Sequence, residues 1–427
     1  MNQTGYFLRP HSPLVFRSGR PFGSADEPSA GGGGAGYAFP LPSTIAGALR
    51  GAWVDAANHA MCPQDQTVLS LHVHGGLRAR RPWQPDGTPG RTALYAPMPA
   101  DAHCVALGGG TRSRTWHMAA AQPMAMVPGS GCNLPHGMLP VAAPNTDKPL
   151  DCPPDWSLPA LVRWLSLEHD GEVDLRHARP ALPRDSRAHV VINPGTLTPT
   201  VGGLFQSPGL AFEDAQADEG IATWLLVRPG APDLATGAAL GRHARLGADG
   251  ATVALEALDP ATASQLALPT ALKAGLDALG PGDCFRLLLL TPACYLRNGW
   301  YPDGLKPTGL GEHAPIEGCL TSLTPAAAAG TAKAALVPMA EGWHLRLVAA
   351  ATGPWLPLAA SKLRDAAGMP GFNRRPMRRL VPAGAVYWLQ IVRCGNRPLS
   401  DAWLQSTCRT EYARDGFGLS LPGLCAV

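Results

Sequence analysis

The sequence predicts an α+β protein of two or three domains, rich in short strands and loops and poor in long helices. Three observations carry this. A chain of 427 residues accommodates two or three units at roughly 150 residues each, and 45% apolar residues suffice to give each unit a core. The 49 glycines and 44 prolines, about a fifth of the chain, stay below the roughly 25 to 30% of low-complexity disorder, yet they interrupt long periodic runs. Most apolar runs have strand length, and only a few stretches carry helical spacing.

Residues 6–8 read as a first strand, and 14–16 as a short apolar run leading into the arginine-rich turn 17–23. After the glycine-rich segment 31–36, Pro42, Ser43 and Thr44 have the make-up of a helix N-terminus. Ile45, Leu49, Ala52, Trp53 and Ala56 then recur at helical spacing. Residues 68–73 alternate as a half-buried strand does. The stretch 82–155 is dense in Pro, Gly, Met and Asn without sustained periodicity and reads as an insertion. A short helix is predicted over 158–167, strands over 189–192 and 221–227, and a hairpin or extended loop over 195–212 between them. A strand over 252–255 and helix within the Ala- and Leu-rich 257–280 close the first domain, 1–280. Residues 281–427 form the second, with strands over 285–290, 344–348 and 385–392 and a short helix over 359–367. No repeat of fixed short period is visible.

A formal charge of +3 proves no nucleic-acid partner. The basic residues are lopsided in kind, 30 arginines against 5 lysines. Guanidinium forks suit phosphates and base edges, although a GC-rich genome produces the same bias. The ten cysteines contain no C-x-x-C pair, and the chain is far longer than disulfide-dependent domains, so all are expected as thiols in a reducing compartment. Residues 1–20 hold no apolar run of seven, and the densest later run, 287–290, is bounded by Arg286 and Pro292. Neither a signal peptide nor a membrane span is expected, and the expected location is the cytoplasm.

Arg374, Arg375, Arg378 and Arg379 form the densest basic cluster, and Asp365 is the nearest acid upstream, which favours a phosphate-binding face over a merely solvated one. Arg17 and Arg20 with Arg9, and Arg78, Arg80 and Arg81, are weaker clusters. Arg187, His189, Thr198 and Phe205 lie along one extended element that could face a single strand, although Phe205 in a strand is more often core. Residues 416–423 have G-x-G-x-x-x-x-G spacing, in which Gly416 and Gly418 would let backbone approach a phosphate chain. A tight turn closing a sheet explains the same residues. His72 and His74 lack a third ligand nearby, and G-x-S-x-G and H-E-x-x-H are absent. No metal, cofactor or catalytic residue is expected.

Several segments together resemble the RAMP superfamily of CRISPR effector proteins, and within it the Cmr3 family of type III-B Cmr complexes. The blocks are PLVFRSGRPFG at 13–23, PLPSTIAGALRG at 40–51, 187–193 with Gly202, Gly203, Leu204 and Phe205, RRLVPAGAVYW at 378–388, and the glycine loop. They occur in order in both halves and leave 82–155 and 229–280 unmatched. The resemblance implies two ferredoxin-like, RNA-recognition-type domains with long loop insertions, and a non-catalytic subunit that holds the 5′ handle of the CRISPR RNA (crRNA). The implied partners are the large polymerase-like subunit and the backbone RAMP subunit, with target RNA met only indirectly and no membrane. The implied RNA contacts are Arg17, Arg20, Ser43 and Arg50 near the first helix, Arg187, His189 and Thr198 in the central block, and Arg374, Arg375, Arg378 and Arg379 in the second domain. Gly416 and Gly418 would face either the RNA backbone or a protein partner. The alternative is a metal-independent endoribonuclease using His11 or His189, and a purely architectural bridge is a third reading.

Overall fold

The computed structural model describes residues 2–18, 36–56, 68, 71–105, 115–126, 129, 131–135, 137–143, 149–168, 172–227, 240–248, 250–309, 314–322, 337–338, 343–358, 377–408 and 410–426. The protein is mixed and strand-rich, built on two large antiparallel sheets with smaller ones beside them. The first sheet runs His243–Arg245, Thr252–Ala257, Asn2–Pro10, Ala217–Val227, His72–Pro82, Ala93–Pro97, Asp155–Ser157. The second runs Leu305–Pro307, Ile316–Gly318, His344–Ala351, Val386–Arg393, Cys284–Leu289, Leu419–Leu424, Gln405–Ser406. Four strands at the heart of each sheet repeat one neighbour order. Counted along the chain they stand fourth, first, third, second, and every neighbour is antiparallel.

The helix Pro42–Ala56 connects the first two of these strands in the first half, and of the predicted stripe Ile45, Leu49, Ala52 and Trp53 are buried while Ala56 is exposed. Burying each large apolar side chain contributes about 1.5 to 3 kcal/mol. The sheet makes room for this stripe at Gly75 and Gly76, where φ is 95° and 97° and the register with Ala217–Val227 shifts. A Cβ at Gly76 would lie 2.6 Å from Ile45 Cδ1, so only glycine lets the helix press this closely.

One predicted element needs correction. The strand expected over 68–73 starts at His72 and continues to Pro82, because Leu71 is held in a turn by its N–H bond to Val68 O. The apolar run 14–16 supplies one bridge, Leu14 to Leu210. The helix expected over 359–367 lies outside the described residues.

The 82–155 stretch is folded. Ala93–Pro97 and Asp155–Ser157 extend the first sheet, while Ala102–Val105, Thr115–Ala120 and Glu172–Asp174 make a three-stranded sheet. Met118, Trp156, Trp164 and Val173 form a core of its own beside Cys104. This lobe ties the halves together. Ala100 N–H donates to Gly384 O at 2.8 Å, Leu139 N–H to Val348 O at 2.8 Å, and Arg286 Nη1 to Asp101 Oδ2 at 2.7 Å. The expectation of thiols throughout fails here, because Cys104 and Cys152 are disulfide-bonded with Cα atoms 5.8 Å apart. Folding of the lobe brings together two residues separated by 48 positions, a proximity that spacing alone does not reveal. Among the described residues the other cysteines are in no disulfide. No helix among the described residues is long and apolar enough to cross a membrane.

Candidate nucleic-acid interface

Arg184–Ile192 and Pro199–Leu210 pair from Arg184 opposite Leu210 to Ile192 opposite Pro199, forming a hairpin that is exposed over most of its length and buried near Leu210. Its base is clamped by reciprocal Leu14 and Leu210 backbone bonds of 2.9 and 2.8 Å. Toward the tip, Val190, Val191, Ile192, Leu197, Val201 and Leu204 are all exposed, Val201 completely. Residues 193–204 contain no charge. A two-stranded ribbon alone is marginal in water, so this arm relies on its base and on the His189 and Phe205 rings, stacked at 5.2 Å with a 14° interplanar angle. His189 Nε2 has no hydrogen-bond partner among the described residues.

A basic band runs past the hairpin base. Arg17 bridges to Gly36, and a Cβ on Gly36 would lie 3.4 Å from Arg184 Nη1. On one side, Ala248 N–H bonds Val15 O at 2.9 Å and brings in the edge strand with Arg242, His243 and Arg245, all exposed. His243 lies 5.6 Å from His11, ring centre to ring centre. On the other side, Tyr37 donates its hydroxyl proton to Pro357 O, and Pro357 pairs in register with Arg379. The Arg379 guanidinium lies 5.1 Å over the half-exposed Trp355 ring, a cation–π pair. Arg184, Arg242 and Arg245 have no carboxylate partner among the described residues, whereas exposed Arg187 shares its charge with Asp185 at 3.0 Å.

The structure separates the residues singled out in the sequence. Arg17, Arg187, His189, Thr198, Arg378 and Arg379 lie on the band or the hairpin, with the Thr198 hydroxyl 2.8 Å from that of Thr196 at the tip. Ser43 is half-buried in the first turn of the Pro42–Ala56 helix. Arg20, Arg374 and Arg375 lie outside the described residues. Arg50 is corrected: it is 9% exposed and spends its guanidinium on Asp415 Oδ1 at 2.6 Å and on Leu71 O at 2.9 Å. Gly416 and Gly418 are also corrected. Both are buried with φ of 91° and 70°, and a Cβ at Gly416 would stand 2.8 Å from Val73 O. The close approach that this glycine spacing permits is made by the first half of the same chain, so neither glycine is open to a phosphate chain. Arg78, Arg80 and Arg81 are engaged by Glu219 and Asp155, by Asp214, and by Asp218 and Glu256.

Sequence reading missed Arg184, Arg242 and Arg245. The last two flank His243 in a segment without a strong strand pattern, and only the pairing with Thr252–Ala257 brings them beside His11.

The family model described as a CRISPR-associated protein, Cas_Cmr3, matches residues 6–424. The chain belongs to the Cmr3 family. That span takes in the hairpin, the band and both large sheets, including the 82–155 lobe that carries no recognisable block of its own. No curated protein matches. Among solved structures, a chain of a type III-B Cmr-beta complex bound to cognate target RNA is similar at 14% identity and TM-score 0.40, covering 90% of this chain and 86% of that one. A chain of the same kind of complex with target RNA and AMPPnP is similar at 12% identity and TM-score 0.37, with the same coverage.

Proposed function

We propose that this Cmr3-family chain is a non-catalytic RNA-holding subunit of a type III-B CRISPR effector. It grips the 5′ handle of the crRNA along the basic band, docks on the large polymerase-like subunit beside the backbone RAMP subunit, and meets target RNA only through the guide. The observation that carries this reading is the set of exposed arginines Arg17, Arg184, Arg187, Arg242, Arg245 and Arg379, in a chain matching the family over 6–424, on segments that contact one another around the base of an exposed hairpin. Exposed guanidiniums bind phosphate at any sequence. The repeated fourth-first-third-second strand order supports reading each half as ferredoxin-like.

Purifying the tagged chain from its native cell and sequencing the 5′ ends of co-purifying RNA tests this. A shared repeat-derived 5′ sequence followed by variable spacers is expected. Random fragments, or no RNA, would overturn it.

One observation favours a rival reading, metal-independent cleavage of CRISPR RNA. His11 and His243 are exposed and adjacent among arginines, and two imidazoles can take and give the protons of phosphodiester transesterification. Cleavage of a repeat RNA in EDTA by the purified chain, abolished in His11→Ala, would establish it over the holder.

A further inference from the structure

We infer that a cavity at the far edge of the first sheet, away from the basic band, is a binding site for a small organic phosphate of nucleoside-monophosphate size. The cavity holds about 430 Å³ and lies between the Ala93–Pro97 strand, the helix Leu158–Leu165 and the segment 172–177. Small-molecule sites begin at about 300 Å³. Leu94, Tyr95 and Val173 give it an apolar floor, while Arg80, Arg91 and Arg163 stand on its walls.

The charges around it do not cancel. Arg80 is matched by Asp214 at 2.8 Å. The carboxylate of Asp174 is gripped by Arg176 Nε and Nη2, which with the Arg176 N–H holds it down at about 2. Glu172 faces His117 at 3.3 Å, an imidazole that is charged only when protonated, so its carboxylate offsets at most one of the two remaining arginines. Arg91 and Arg163 are left over: each makes a single long bond to a backbone carbonyl, Arg91 Nη2 to Ala261 O at 3.2 Å and Arg163 Nε to Glu168 O at 3.3 Å. A guanidinium carries five N–H donors, so both retain most of their hydrogen-bonding capacity beside an apolar hollow. That combination asks for a ligand with one doubly charged, multi-acceptor group and a flat or apolar body, which is the chemistry of an organic phosphate. A carboxylate offers fewer acceptors, and inorganic phosphate would leave the floor uncovered.

The site shares no residue with the proposed guide-binding band, so its test is independent of that reading. Isothermal titration of the full chain with AMP, adenosine and inorganic phosphate, at low and moderate salt, reads it directly. AMP is expected to saturate, with adenosine and inorganic phosphate each weaker by about tenfold or more. Arg91→Ala with Arg163→Ala should weaken AMP by about tenfold or more while leaving RNA co-purification unchanged, since both side chains are exposed and neither holds the fold. Arg91→Lys with Arg163→Lys keeps charge without the fork and should fall between. Arg242→Ala with Arg245→Ala should leave AMP binding intact. The inference is overturned if AMP shows no saturable binding, if the double alanine variant binds it as the parent does, or if adenosine binds equally well.

Discussion

Asp101→Ala should weaken the joint between the two large sheets more than any surface change. The Asp101 carboxylate is 1% exposed and accepts Arg286 Nη1 at 2.7 Å and Trp164 Nε1 at 3.0 Å. Arg286, 5% exposed at its side chain, also donates to Leu424 O at 2.8 Å and Trp164 O at 2.6 Å. Removing the carboxylate therefore leaves a guanidinium that is fixed in place, out of water and without counter-charge, a loss of about 3 to 5 kcal/mol. The stranded indole N–H falls within the same range rather than adding fully, because the two bonds share one acceptor group. At about 2 °C per kcal/mol for units of this size, the melting temperature should fall by about 6 to 10 °C. Asp101→Leu combined with Arg286→Met removes both charges and should recover most of the loss. Urea unfolding followed by tryptophan fluorescence checks this, since Trp164 sits in the joint. A single variant within about 1 kcal/mol of the parent, or a double variant no better than the single, would refute the reasoning.

Three other outcomes are expected. With about five phosphates neutralised on the band, the slope of log K for single-stranded RNA against log salt should lie near −3.5, and Arg242→Ala with Arg245→Ala should bring it to about −2; a parent slope near zero contradicts the RNA reading. Gly416→Ala puts a Cβ 2.8 Å from Val73 O at a φ of 91° and should cost about 2 kcal/mol, read as a lowered urea midpoint. Burial pushes His74 down to about 4 from its ordinary 6.5, so the unfolded chain takes up a proton that the folded chain refuses. The His74 share of stability, up to about 3 kcal/mol, is thus full above pH 6.5 and lost as pH falls toward 4, and His74→Gln should flatten the acid limb of a stability profile.

What the sequence made legible was local. The stripe Ile45, Leu49, Ala52, Trp53 and Ala56 needs only helical spacing to be read, and the structure buries all but Ala56. The strand near residue 221 announces itself by β-branched and apolar residues in one run, although the structure begins it earlier, at Ala217. The lobe within 82–155 was illegible because its strands are two to six residues long and find partners far away, Thr115 opposite Asp174 and Tyr95 opposite Ser157. In the candidate site, arginine identity was visible but pairing was not. Arg50 and Arg17 look alike in sequence, and only the arrival of Asp415 beside the first helix marks Arg50 as structural. The glycine spacing at 416–423 correctly signalled a close backbone approach, and the partner in that approach is the strand at Val73.

That approach also sets a timetable for synthesis. The surface at Val73, Gly75 and Leu71 is covered by residues around Gly416 and Asp415, which leave the ribosome some 340 residues later. At about 5 to 20 residues per second the nascent first half waits between about 15 and 70 seconds with this face uncovered. Strand Leu419–Leu424, an inner strand of the second sheet, arrives later still. A chain cut before residue 416 would therefore leave this face of the first half uncovered rather than make a smaller complete fold.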